Sequence, residues 1–174
     1  MSRLSIRPTG RERPFHDDEI LVSKTDLTGK ITYVNDIFAR VSCYARGELI
    51  GAPHSIIRHP AMPRGIYQLL WEQIQAGREI FAYIVNLCKN GDHYWVFAHV
   101  TPSFGAQGEI VGYHSNRRTA PRAALQEIER LYAEMQRIEA AHEKKRDAAA
   151  AGLTHLNDVL ATRGVSYDEF VWSL

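Results

Sequence analysis

The side chains able to do chemistry in this 174-residue sequence include eight histidines, two cysteines and twenty carboxylates, and their spacing argues against a reaction centre. There is no G-x-S-x-G, no P-loop, no G-x-G-x-x-G and no H-E-x-x-H, and no carboxylate pair is spaced for acid–base work. Cys43 and Cys88 have neither a CxxC partner nor a Cys/His ligand spacing, so two buried, reduced thiols are expected in place of a zinc site or disulfide framework. His54 and His59 sit in a proline-flanked loop, where an imidazole commonly makes a local hydrogen bond. His93 and His99 are six apart in a strand-like run and so share a face. No catalytic residue and no metal ligand is expected, and a binding module is favoured over an enzyme.

The elements that position these groups follow from the hydrophobic pattern. Residues 20–26 and 31–35 flank the turn Leu27-Thr28-Gly29-Lys30 and predict a β-hairpin. Two short helical stretches, 36–42 and 46–50, lead into a loop punctuated by Gly51, Pro53, Pro60 and Pro63. From 64 to 76, Ile66, Leu69, Leu70 and Ile74 recur at helical spacing, with Tyr67 and Trp71 on an adjoining face, up to a stop at Gly77. Strands are expected at 79–87, 93–103 and 109–117. Asn90-Gly91 joins the first two of these, and it is the strongest short hairpin signal because both central turn positions favour positive φ. Hairpin-joined strands on either side of grouped helices predict an α+β fold: an antiparallel sheet with helices on one face.

Beyond 120 the composition shifts to Ala, Glu, Arg and Lys, with one apolar stripe of Leu125, Ile128, Tyr132, Met135 and Ile138. Charge interrupts the stripe at 142–146; it resumes at Leu153 and Leu156, which suits two helices or one kinked helix. Ser166 heads a short N-capped helix carrying Phe170 and Trp172, aromatics that a bare tail would not need. The expected division is an N-terminal arm over 1–19, a sensor domain over 20–120 and a helical C-terminal extension over 121–174.

Charge and hydropathy exclude several classes. Net charge is +1, from 21 basic and 20 acidic residues, with no dense Lys/Arg block, so no nucleic acid is expected as partner. Apolar runs fall well short of the roughly 20 residues that span a bilayer. Met1-Ser2-Arg3-Leu4-Ser5 lacks an apolar signal core. No membrane insertion and a cytoplasmic location are expected.

Thr25 through Phe38, Ser42-Cys43-Tyr44 and Glu48-Leu49-Ile50-Gly51 resemble the opening of a PAS domain. Arg58-His59-Pro60-Ala61-Met62-Pro63 and Lys89-Asn90-Gly91-Asp92-His93-Tyr94-Trp95-Val96 resemble, more sharply, the PAS domain of bacterial aerotaxis receptors, which hold FAD noncovalently. The resemblance covers about residues 15–120. It implies a five-stranded PAS sheet, and a flavin lying near Asn35, His54, Arg58, His59, Trp71 and Asn86. An amide such as Asn35 or Asn86 can match both the donors and the acceptors of a flavin edge. Arg58 offers five fixed donors and Trp71 an aromatic face. Local roles remain open beside these: Asn35 as a helix N-cap, Trp71 as core packing, Asn86 as a sheet residue bonded to backbone. The sequence departs from the aerotaxis pattern at Ala61, where Asp is usual, and at Ile80, where Trp is usual.

The resemblance therefore implies a redox or oxygen sensor that passes the state of FAD to a signalling partner, a chemotaxis-type transducer or kinase, as a homodimer whose tail stripe pairs with a partner helix or folds back on the sheet. A cofactor-free PAS interaction module is the alternative. Haem gas sensing is a third reading, disfavoured because PAS haem ligands usually come from the long helix and 64–76 holds no histidine. Light-sensing relatives carry a reactive cysteine in the loop corresponding to Gly51-Ala52-Pro53-His54, which has none.

Overall fold

In the computed structural model, which describes residues 6–174, five strands form one sheet in the order β2-β1-β5-β4-β3. They are β1 Leu21–Thr25, β2 Ile31–Val34, β3 Ile80–Leu87, β4 His93–Phe104 and β5 Ile110–Thr119. All four pairings are antiparallel. The β2–β3 connection holds α1 Asp36–Ser42, α2 Arg46–Leu49, a 3-10 turn at His54–Ile57 and α3 Arg64–Gln75. Three helices follow the sheet: α4 Arg122–Glu139, α5 Lys145–Arg163 and α6 Tyr167–Trp172.

Local chemistry fixes the turns. At the β1–β2 hairpin the Asp26 carboxylate accepts from Thr28 N–H at 2.8 Å and Lys30 N–H at 3.0 Å, while Gly29 takes φ +80°, open to glycine at no steric cost. At the β3–β4 turn, a Cβ on Gly91 would lie 2.5 Å from the Arg7 carbonyl oxygen. The N-terminal arm crosses there and pairs with the chain around His93, which donates to Arg11 C=O at 2.9 Å and accepts from Arg13 N–H at 2.7 Å. The first five residues of the expected arm, and the N-terminal pentapeptide read for a signal core, lie outside the described residues.

β4 alternates strictly: Tyr94, Val96, Ala98 and Val100 are buried, their neighbours partly open. The buried side packs on Leu21, Val34, Phe38, Ile66 and Ile74, each no more than 2% exposed, and full burial of such side chains stabilises by about 1.5–3 kcal/mol apiece. β3, in contrast, is buried almost continuously. The C-terminal helices account for this, because they wrap the edge that β3 would otherwise leave open. The Tyr132 hydroxyl of α4 donates to Tyr83 C=O at 2.7 Å. The Trp172 ring of α6 meets Phe81 and Phe97 at 4.8 and 5.3 Å, residues of the parity opposite Ala82 and Ala98.

α5 lies not on the sheet but on α3. The two helices approach at a glycine pair: a Cβ on Gly65 would lie 2.5 Å from Leu153 N and 2.8 Å from the Gly152 carbonyl carbon. The buried Glu139 carboxylate at the end of α4 accepts from Arg64 and Gly65 N–H, both at 2.8 Å, capping the positive end of α3. The extension is thus docked on the domain, with no apolar stripe of α4 left free. Its interruption at 142–146 spans the end of the α4–α5 turn and the first two residues of α5, and Ser166 and Glu169 form the capping box that starts α6.

Candidate functional site

A cavity of about 220 Å³ lies between the inner face of the sheet and the helices. Strand alternation aims Ser23 and Thr25 of β1, Ile84 and Asn86 of β3, and Tyr113, Ser115 and Arg117 of β5 into it. His54, Ser55, Ile57 and Arg58 of the 3-10 segment, with Tyr67, Leu70, Trp71 and Ile74 of α3, close the other side.

Arg117 is the central charge of the site. It is 4% exposed, lies 5.3 Å over the Phe38 ring, and donates to Ser23 Oγ from both terminal nitrogens at 3.1 Å and to His54 Nε2 at 2.8 Å. It has no carboxylate partner among the described residues. Burial lowers its pKa to about 10, which leaves it protonated near neutrality. An arginine cannot accept a hydrogen bond, so His54 Nε2 is the acceptor and the ring carries its proton on Nδ1. Burial, then the Arg117 charge, push the His54 pKa down to about 3, and the imidazole stays neutral. A buried cation without an anion costs several kcal/mol.

Two more groups that line the cavity lack partners, and off its wall so does the buried Tyr94 hydroxyl of β4. Asn86 is 3% exposed and its Nδ2 has none, nor has Ser115 Oγ; each such group costs about 1–3 kcal/mol when left unsatisfied. Asn86 pairs with Tyr94 and Arg117 with Ala98 on β4, so their levels differ by four residues, about 13 Å along the strand. The site therefore offers donors at two separated levels of one face, and a buried positive charge at one of them. Groups of this kind are kept where a ligand completes them.

Aromatic and cationic groups frame the rest. Arg58 lies 4.1 Å over the Tyr67 ring; burial lowers the Arg58 pKa and raises that of Tyr67 to about 12. Trp71 stands edge-on to Tyr113 at 5.5 Å. A Cβ on Gly29 would come within 3.3 Å of that indole, so the hairpin glycine also makes room for it.

Of the six residues expected here, His54, Arg58, Trp71 and Asn86 line the cavity. Asn35 does not. Its Oδ1 caps α1 by accepting from Phe38 N–H at 3.0 Å and also accepts from Val22 N–H at 3.0 Å, while its Nδ2 donates to Ile20 C=O at 2.8 Å. Every group of that amide is used in the scaffold. His59 faces an adjoining groove, not the cavity; its Nδ1 accepts from Ala61 N–H at 3.0 Å, the local bond expected of a proline-flanked loop. Ala61 and Ile80 also lie off the cavity wall. Sequence reasoning missed Ser23, Tyr67, Ser115 and Arg117. Strand parity with Thr25 and Tyr113 could have flagged Ser23, Ser115 and Arg117, and helical spacing of four from Trp71 could have flagged Tyr67. Cys43 and Cys88, 45 residues apart in sequence, are near each other; burial, then Cys43, push the Cys88 thiol up to about 12.

Residues 31–117 match the family model described as PAS fold, and the chain belongs to that family. Over 124 residues, 71% of this chain, it is 40% identical to the aerotaxis receptor of Escherichia coli (strain K12), and the match spans 24% of that receptor. It is 28% identical over 99 residues, 57% of the chain, to the nitrogen fixation regulatory protein of Klebsiella pneumoniae, covering 20% of it. The chain thus spans a quarter or less of the length of these relatives. By fold it is similar to the blue-light photoreceptor Aureochrome1 LOV in its dark structure (TM-score 0.54, 20% identity, 68% of this chain and 86% of that one). A light-oxygen-voltage domain studied through a flavin analogue gives a TM-score of 0.56 at 15% identity, over 63% of this chain and 82% of that one. No helix among the described residues is long and apolar enough to cross a membrane.

Proposed function

We propose that this chain is a sensor domain that holds FAD noncovalently in the cavity and passes the redox state of the flavin to a signalling protein, as the relationship to an aerotaxis receptor suggests. The observation that carries the reading is the buried Arg117 guanidinium without a carboxylate, in one cavity with the unpartnered Asn86 amide. A flavin ring fits that donor set: it is flat, apolar on its faces, and edged with hydrogen-bonding nitrogens and carbonyls. Asn86 would hold one edge, Ser115 and Arg117 with His54, two to three same-face strand steps away, would meet the more electron-rich part, and Trp71 and Tyr67 would cover the faces.

Bound flavin would supply one- and two-electron redox chemistry. The response belongs to the chain's own residues. Arg117 favours added negative charge beside it. His54, neutral and bonded to Arg117, opens the 3-10 turn that leads to α3. A change in what Arg117 donates to would alter the His54 bond and reach Arg58 and the N-terminus of α3, where Glu139 ties down the extension. Such an element shifts only by the difference in ligand free energy between its two states. The receiver would be a chemotaxis-type transducer or a kinase, met by a homodimer, and the 121–174 extension would be the output element. Haem is less well served, because the Nε2 of His54, the cavity histidine of the 3-10 turn, is already an acceptor for Arg117.

The test is an absorption spectrum of freshly purified protein, then heat release and chromatography of the chromophore. A two-banded yellow spectrum with FAD released supports the reading. A Soret band, or a colourless protein that takes up no flavin, overturns it, the second in favour of a cofactor-free interaction module.

A further inference from the structure

A second groove, about 1290 Å³, adjoins the cavity and shares Ser55 and Arg58 with it. One wall is the segment from the 3-10 turn to α3; the other is the α4–α5 turn of the C-terminal extension. Four cations face it, Arg58, Arg64, Lys89 and Lys145, against two carboxylates, Glu139 and Glu143. Glu139 is already engaged by the two α3 amides, and Lys89 by Glu48 at 2.5 Å. Arg58, Arg64 and Lys145 make no ion pair among the described residues. The groove therefore keeps three cations without ion pairs beside the cavity, and one of them, Arg58, stacked on Tyr67, stands in both spaces.

We propose that this groove seats a diphosphate, the link between flavin and adenosine, and that the start of α5, just after the α4–α5 turn, is part of the cofactor site through Lys145. The inference rests on the flavin reading of the cavity. Arg58 sits where a chain leaving the ring must pass. Arg64 and Lys145, from opposite walls, offer charge-assisted bonds to successive phosphates. Because one wall is the docked extension, loss of the diphosphate loosens the α4–α5 turn, and release of the extension weakens the dinucleotide but not the ring.

The full chain, stripped of chromophore, is titrated calorimetrically with riboflavin, FMN and FAD, and with ADP as competitor. The expected result is FAD at least about tenfold tighter than riboflavin, an advantage that shrinks as salt rises and is eroded by excess ADP. Lys145→Glu and Arg64→Gln each cost about fivefold in FAD affinity and leave riboflavin unchanged, a control that both variants are folded with the cavity intact. Equal affinity for FAD and riboflavin, or full FAD affinity in both variants, overturns the diphosphate seat and leaves the flavin reading standing. Failure of all three flavins to bind overturns both.

Discussion

Asn35 and Asn86 are the same side chain at two ends of one sheet, and they do opposite things. At the β2–α1 junction the Asn35 amide makes three hydrogen bonds within the scaffold. In the cavity the Asn86 Nδ2 makes none, and Ser115 and Arg117 on the same face lack an acceptor or a counter-charge. Both amides are polar groups removed from most solvent, so burial does not separate them. What separates them is satisfaction. Of these two amides, the completed one belongs to the scaffold and the incomplete one lines the cavity.

The contrast can be broken by substitution. Asn35→Ala should have the largest effect on stability, a loss of about 2–3 kcal/mol in urea unfolding, from the missing N-cap and a stranded Val22 amide. Ligand affinity of the folded fraction should not change; a coupled loss of affinity would return Asn35 to the site. Glu139→Ala, which uncaps the N-terminus of α3, should cost about 2 kcal/mol and raise hydrogen exchange across 145–163. Undiminished protection there would mean that the cap does not hold the extension.

His54 gives a pH handle of intermediate size. Its folded pKa, about 3, lies below its unfolded value near 6.5. Between these values the unfolded chain binds a proton that the folded one refuses, so stability falls as pH drops from about 6.5 toward 3, on the order of 1 kcal/mol per pH unit. The slope should vanish in His54→Gln, once the acidic residues common to both proteins are subtracted; a slope that persists would place it elsewhere. Asn86→Ala should move stability least and in the favourable direction, by about 1 kcal/mol, because it deletes a buried amide donor that the ligand-free scaffold leaves unsatisfied. It should nonetheless weaken flavin retention by about tenfold, and a variant that keeps its flavin would remove Asn86 from the cavity.

Much of this was legible in the sequence. Asn90-Gly91, the Leu27–Lys30 turn, the stop at Gly77 and the Ser166 cap each declare themselves within four or five residues, and the helix at 64–75 follows from its own period. Of the residues that the resemblance implies, His54, Arg58, Trp71 and Asn86 line the cavity and Asn35 and His59 do not, because an amide before a helix and an imidazole beside a proline can each be satisfied locally, and both are. Arg117 was passed over because Asn116-Arg117-Arg118 reads as a polar strand end.

The sequence by itself determined where the chain turns, caps and repeats, since positive φ, side-chain capping and hydrophobic period are properties of neighbouring residues. Tertiary structure alone decided which parity of β5 faces inward, because that depends on its register with β1 and β4. It also decided that a carboxylate at 139 closes a helix beginning at 64, and that Gly65 admits the backbone of Gly152. Such contacts join residues far apart in the chain, and whether a buried polar group is satisfied or left for a ligand depends on what packing brings opposite it.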